Sequence, residues 1–455
     1  MPAHTHERRD AFASTLGAFA ATVGSAIGLG NIWKFPYLTG SNGGAAFVLT
    51  YLLAVALVGV PVMVVEHVIG RRMRLNAVHA YGRVVPKQPF WSAIGWAGLV
   101  SAVLIMAFYT DVAGWVFAYV FKSFGAMVSG RTLTPETFGA LASGTWEPLF
   151  WQVVVLAVTT AIIAAGVSRG IEKVTKTLMP LLFVLLVVCD LRALTLPGAS
   201  DGVAYLFKPD LSKLTGAVLL SALGLAFFKL SLGMGTMTTY GSYLPDQIRI
   251  VPNATRVALA DTLVSLLAGL AIFPTVFALG GTPAGGPGLL FNTIPLVFSQ
   301  MPGGAFFTVL FFVLSAIATI GAMVSLMEVP VAWIIEKGHA RRTVAAVITG
   351  GTMFALGVLA TLSQGPVLGD VKLFGKTFFD LFDFLSSNVL LPAGGLAIAI
   401  VGGWLVSGKA FKDEMNKGHA ETPWYDRVVY AFIRFVAPVL ILLIFLNSLG
   451  VITLA

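Results

Sequence analysis

An all-α polytopic membrane protein is the fold class that this 455-residue sequence predicts, and three observations carry the prediction. Hydrophobic residues make up 57% of the chain and charged residues 11%, against roughly a quarter charged in ordinary soluble domains. Apolar runs long enough to cross a bilayer as a helix, about 20 residues each, recur along the whole sequence. Lys and Arg gather in alternate connections between those runs. A soluble protein is excluded, and the formal charge of +8 reflects membrane anchoring and implies no nucleic-acid partner. The single cysteine, Cys189, excludes an internal disulfide and any cysteine-based metal or iron–sulfur centre.

Eleven segments follow, near 12–38, 45–70, 91–124, 149–167, 174–193, 216–243, 255–280, 304–336, 343–362, 378–406 and 426–452. The first is too long and too rich in glycine for a cleavable signal peptide, so residues 1–11 read as a polar N-terminal tail. The second ends at Arg71-Arg72, the fourth before Arg169, the fifth starts at Lys173 and Lys176, and the eighth and ninth are joined through Lys337, Arg341 and Arg342. With the N-terminus in the cytoplasm, nineteen of the 29 Lys and Arg residues fall on that face and seven on the other. Three remain inside segments: Lys34, Lys229 and Arg434.

Two segments are interrupted alike. The first carries Gly24-Ser25-Ala26-Ile27-Gly28-Leu29-Gly30-Asn31 and the sixth Leu230-Ser231-Leu232-Gly233-Met234-Gly235, small and helix-weakening residues at mid-membrane. A lone small-residue pattern would mean close helix packing. Here dense clusters recur five segments apart, and an odd offset inverts the second half relative to the first, as in inverted-repeat transporters. Half-helix N-termini at such breaks attract an anion, and unwound carbonyls attract a cation.

The run Gly24 to Pro36 with Asn42-Gly43-Gly44 resembles the first-helix signature of the neurotransmitter:sodium symporter family. Similarity continues through Pro61, Glu66-x-x-x-Gly70, Phe108-Tyr109, Gly170-x9-Pro180, Phe227-Phe228-x-Leu-Ser231-Leu-Gly233, Tyr240-x-Ser-Tyr243 and Asp383-Phe384. The resemblance is to prokaryotic members with eleven transmembrane helices. It implies the leucine-transporter fold, a 5+5 inverted repeat with discontinuous helices 1 and 6. On this reading the transport core spans 12–406, with repeats 12–193 and 216–406, and 426–455 forms a peripheral eleventh helix. It further implies alternating-access transport of an amino acid across the cell (inner) membrane, the N-terminus being cytoplasmic, by a monomer or homodimer.

Carried across by position, the resemblance implies that the substrate carboxylate meets the N–H groups of Leu29 and Gly30 and the Tyr109 hydroxyl, and the amine meets carbonyls near Ala26, Phe228 and Ser231. Its side chain would lie among Ser25, Ile105, Phe228, Met234, Ala322 and Leu326, an apolar lining that favours a hydrophobic or aromatic neutral amino acid. Tyr109 and Phe228 match the lid, and Lys34 with Asp383 the outer charged gate, lysine replacing the usual arginine. Arg9 and Glu336 match the inner gate beside Ser242 and Tyr243, with Phe12 where the family has an anchoring tryptophan.

The two sodium sites are where the chain departs from the family. At the first, Ala26 and Asn31 match ligand positions, but Lys229 stands where a hydroxyl ligand is expected, and Asp261 matches another ligand. At the second, Gly24, Ile27 and Ala318 can offer only carbonyls, and Gly321 and Ala322 replace two oxygen-bearing side chains. Lys229 lies too far from either end of its segment to snorkel, and an unpaired charge there is costly. The expectation is that Lys229, paired with Asp261, replaces the first sodium ion and that the second site is vestigial. The alternative is a structural ion pair in a sodium symporter whose second site is repaired by Ser315, Thr319 or Ser325. Proton coupling, exchange and facilitated transport are all compatible with a sodium-independent chain.

Among other intramembrane charges, Glu66 and Glu328 are expected to hydrogen-bond backbone at helix breaks, Asp111 to serve in the vestibule or behind Tyr109, and Arg434 to face lipid headgroups or pack. No enzyme is expected, since neither H-E-x-x-H nor G-x-S-x-G occurs, and no cofactor; sodium stands as the disfavoured alternative. A transport-dead amino-acid sensor, sharing the same pocket, is the reading from another class.

Overall fold

The first crossing breaks where the sequence places its small residues. Ser14 caps α1a (Thr15–Ala26) by accepting from the Gly17 N–H, Ile27 turns extended, and the chain resumes as α1b (Gly30–Ser41), bent by 50° from α1a. This is a computed structural model, and it describes residues 10–281, 286–419 and 423–452. Arg9, with the rest of the expected tail before Asp10, lies outside the described residues.

Uninterrupted crossings follow: α2 (Ala45–Met73), α3 (Pro89–Ser129), α4 (Trp146–Ala164) and α5 (Val167–Leu194), then α7 (Ile250–Ala278), α8 (Gly304–Gly338), α9 (Arg342–Leu362), α10 (Phe378–Leu405) and α11 (Trp424–Ser448). Between the two sets lies the second broken crossing, α6a (Gly216–Lys229) and α6b (Thr236–Tyr243). Among the described residues, nine helices alone are long and apolar enough to cross a membrane, and α1 makes ten when its halves are joined. Counting the interrupted α6 gives the eleven expected.

The α6 break is held from α2. Ser231, Gly233 and Gly235 take positive φ, and Glu66 accepts from the Gly233 N–H (2.8 Å) and from the N–H and hydroxyl of Thr238. A buried carboxylate thus meets the unpaired donors at the N-terminus of α6b, the role expected of it.

Five short helices in the connections were not among the expected segments: Ala77–Val84, Pro135–Ala142, Ala199–Phe207, Thr293–Ser299 and Gly408–Met415. Each is too short to register as a crossing run. In the interior α3 packs along α8, α2 along α6b, and α1a between α5 and α8, while α11 lies at the rim against α10. Exposed Phe121, Phe150, Val184, Leu191, Leu259 and Phe435 give the perimeter an apolar coat suited to lipid.

Candidate functional site

The two breaks face each other across a small cavity. It is lined by Ser25, Ala26, Gly28 and Gly30 from α1, Ile105 and Tyr109 from α3, Phe228, Lys229, Ser231 and Met234 from α6, and Ala322 and Leu326 from α8. Of the substrate residues expected from sequence, only Leu29 is missing from this lining, and Gly28 takes its place. Leu29 still contributes, since its N–H donates to the Tyr109 hydroxyl at 3.1 Å. That bond uses the phenolic oxygen as acceptor and leaves the phenolic proton for a ligand. The Ser231 hydroxyl donates to the Ser25 carbonyl at 2.8 Å and ties the two breaks together.

Lys229 dominates the polar end. Its Nζ lies 3.1 Å from Asp261 Oδ2 and 2.9 Å from the Tyr51 hydroxyl, and it also bonds Ser265 Oγ, with no solvent exposure on either charged side chain. The rings of Tyr51 and Phe35 stand 4.5 Å and 4.9 Å from the ammonium, adding cation–π attraction. Asp261 is held in turn by Asn31 Nδ2 (2.7 Å) and by the Tyr51 hydroxyl (2.8 Å), while Asn31 Oδ1 accepts from the Gly28 N–H. Every member is satisfied and the pair is neutral overall, so the cluster meets the conditions for burying charge. Lys229, Asp261 and Asn31, expected together from sequence, are brought together. Tyr51 was missed: a tyrosine in an apolar run gives no local sign that its hydroxyl will meet residues from α6 and α7.

Protein atoms crowd both positions at which the resemblance would place sodium. At the first, the ammonium already draws on Asp261 and Ser265, and a metal cation beside it would be repelled. The Lys229 stem also runs past Gly30, where a Cβ would sit 3.1 Å from Lys229 Cγ. At the second, α8 presses directly on α1a. A Cβ built at Gly321 would lie 2.5 Å from the Gly24 carbonyl oxygen, so there is no room for a side-chain ligand there. Ala322 supplies no oxygen, and the nearby Ser315, Thr319 and Ser325 hydroxyls are turned back onto carbonyls of their own helix.

The expected gates are only partly as read. Lys34 and Asp383 form no ion pair: Lys34 Nζ sits 4.2 Å over the Phe228 ring, and Asp383 accepts from the Ser387 hydroxyl at 2.8 Å. The lysine's single charge finds the adjacent aromatic lid before it finds the carboxylate. On the face bearing the N-terminus, Phe12 packs edge-on against Tyr240 and Tyr243, as the substitution for tryptophan implied. Glu336 accepts from the backbone and side chain of Asn76 at 2.8 and 2.5 Å.

Glu328 does not cap a helix break, contrary to expectation. It accepts from the Tyr243 hydroxyl (2.7 Å) and pairs with Arg342, which also reaches Asp10 (2.9 Å) and the Ile163 carbonyl (2.7 Å). One guanidinium therefore joins α8, α9, α4 and the residues before α1a. Beside it, Glu172 of α5 accepts from Ala13 N–H, Ser14 Oγ and Lys176 Nζ. Ser242 closes on its own helix through the Thr239 carbonyl. Arg434 stacks over Trp404 at 4.5 Å, a packing role.

Comparison with known proteins bears on the fold and the family. Residues 9–134 and 142–454 match the model of the sodium:neurotransmitter symporter family. An uncharacterized sodium-dependent transporter of Bacillus subtilis, YhdH, is 41% identical over 446 residues, covering 97% of this chain and 98% of its own. An uncharacterized sodium-dependent transporter of Haemophilus influenzae is 34% identical over 457 residues, covering 98% and 99%. The crystal structure of MhsT in complex with L-phenylalanine superposes with a TM-score of 0.88 at 41% identity, covering 97% of this chain and 100% of MhsT. Fold, broken helices and central cavity together with these matches make the chain a membrane transporter with the leucine-transporter fold, and it belongs to the sodium:neurotransmitter symporter family.

Proposed function

We propose that the protein is a secondary transporter of neutral hydrophobic or aromatic amino acids that works by alternating access without sodium, the Lys229 ammonium serving as a built-in cation at the first site. The observation that carries this reading is the bonding of Lys229 Nζ to Asp261, Tyr51 and Ser265 at the edge of the central cavity. Tyr109, oriented by the Leu29 N–H, and the Gly30 N–H would hold the substrate carboxylate within reach of that ammonium, and carbonyls of the α1 and α6 breaks would take the amine. Met234, Ile105, Leu326 and Phe228 supply an apolar, adaptable pocket for the side chain. L-phenylalanine bound to MhsT, a similar structure, supports this substrate class. The arginine-rich face, closed by Arg342 and Glu172, is assigned to the cytoplasm and the bilayer to the cell membrane. Energy would then come from a proton gradient or from the substrate's own gradient.

Conventional sodium symport is the second reading, favoured by the names of the relatives, which call them sodium-dependent. Uptake of labelled L-phenylalanine into proteoliposomes in sodium, potassium or choline chloride separates the two. Equal uptake in all three salts is expected. Accumulation that needs sodium and vanishes in choline would overturn the tethered-cation reading.

A further inference from the structure

A carboxyl group buried in α3 has no place in the site described above. Asp111 is fully buried, and among the described residues neither of its side-chain oxygens has a hydrogen-bond partner. Thr361 of α9 approaches it without closing a hydrogen bond. Thr110 and Gln152 stand alongside, joined at 2.9 Å, and Gln152 Oε1 and Thr361 Oγ1 are also unpartnered. Gly357, one turn before Thr361, permits this close approach of α9, since a Cβ there would lie 2.3 Å from Gln152 Nε2.

Among the described residues, no cation faces Asp111. On the elements packed against α3, Glu147 of α4 pairs with Lys122, Asp380 and Asp383 of α10 bond Thr377 and Ser387, and Glu328 of α8 pairs with Arg342 of α9. Glu336 bonds Asn76, Lys337 lies over Trp333, and in the helix Ala77–Val84 His79 stands by Glu336, Tyr81 bonds Thr238 and Arg83 makes no ion pair. Glu136, in the helix whose Phe138 touches Trp115, and Tyr119 and Tyr109 on α3 itself, the latter accepting from the Leu29 N–H, complete the titratable set. A carboxylate without counter-charge or donor is strongly disfavoured in such surroundings, whereas the neutral acid is tolerated.

The face of α3 that carries Asp111 also meets α10. Phe108, Asp111 and Trp115 share one face of α3, and Phe379 of α10 lies 5.5 Å from the Phe108 ring and 6.3 Å from Trp115. Phe379 is one turn before Asp383, at the end of α10 that carries the expected outer gate, and Tyr109 of the substrate site is two residues from Asp111.

We propose that Asp111 is a proton-binding site, and that its protonation couples a proton gradient to substrate movement in this chain. The inference rests on the sodium-free reading above. A proton from the outer aqueous phase forms an O–H bond with the Asp111 carboxylate when α10 lifts Phe379. Closure seals the neutral acid, and the O–H bond breaks to the inner aqueous phase when the carrier opens inward. One positive charge accompanies each zwitterionic substrate.

The test uses full-length protein in proteoliposomes, choline salts throughout, with L-phenylalanine as probe. With the outside one pH unit more acid, one proton per substrate supports up to about tenfold accumulation. Wild type is expected to approach that ratio and to acidify the lumen, read by a trapped pH dye, as phenylalanine enters. Asp111→Asn is expected to exchange labelled for unlabelled phenylalanine at the wild-type rate but to accumulate none above equilibrium. Accumulation by Asp111→Asn under the acid gradient overturns the proposal. So does phenylalanine entry into wild-type vesicles without luminal acidification, a measurement independent of how the variant folds. Failure of detergent-solubilised wild type to bind phenylalanine in choline, with binding restored by sodium, instead overturns the reading of Lys229. The same gradient comparison, run with equal sodium on both sides, then still decides the role of Asp111.

Discussion

A lysine ammonium shared among Asp261, Tyr51 and Ser265 is held by charge-assisted hydrogen bonds whose loss is uneven. Removing one charge strands the other in a dry interior, at a cost of about 3–5 kcal/mol, whereas removing both restores neutrality. Lys229→Met and Asp261→Asn are therefore each expected to lower thermal stability in detergent, and the double variant to lose less than the sum of the two. Additive losses would show that the pair is not coupled. A second residue-level expectation concerns Gly321 and Ala322. Placing serine at both supplies the missing hydroxyls, yet the Gly24 carbonyl occupies the space a Cβ needs at 321. Gly321→Ser/Ala322→Ser is expected to reduce stability without making phenylalanine uptake sodium-dependent; sodium stimulation in that variant would mean that the helices part readily. At this scale the sequence was most informative where an unusual residue type announced itself, as Lys229 did in an apolar run. Tyr51 escaped because its role depends on helices 178 and 210 residues away.

Between elements, the N-terminal face is fastened by two clusters of modest size. Arg342 links α9 to α8, α4 and Asp10, and Glu172 holds the start of α1a through Ala13 and Ser14. Swinging α1a away must break both sets of bonds together. Arg342→Gln keeps hydrogen bonding but removes the charge opposite Glu328, so hydrogen exchange in α1a is expected to quicken several-fold while exchange in α3 stays unchanged. Unchanged exchange in α1a would exclude Arg342 as a fastening. Helix positions and both breaks were legible because twenty-residue apolar runs and clustered glycines are local signals. Partnerships across the fold were less so. Glu328 was expected to cap a break, but its partner lies across the α8–α9 turn in Arg342. Lys34 was matched to Asp383, but the Phe228 ring stands nearer its ammonium.

For the whole molecule, scarcity of charge identified a membrane protein, because that property needs no tertiary contact to be read. If the Lys229 ammonium stands in for a diffusible cation, as proposed, initial uptake of phenylalanine at a fixed pH gradient is expected to vary by less than about twofold when sodium is exchanged for choline. A steep rise with sodium would argue for an ion position that neither Lys229 nor Gly321 blocks. The neutral pairing of Lys229 with Asp261 has a consequence for energetics as well as affinity. A diffusible ion that crosses with the substrate stays behind on the far side and so leaves its gradient's work in the transported pool. An ammonium bonded to α6 makes the outward journey again with the empty carrier. Over a full cycle its net displacement is zero, so it can set how tightly substrate is held but can do no work on the concentration ratio, which must be set by something that is released.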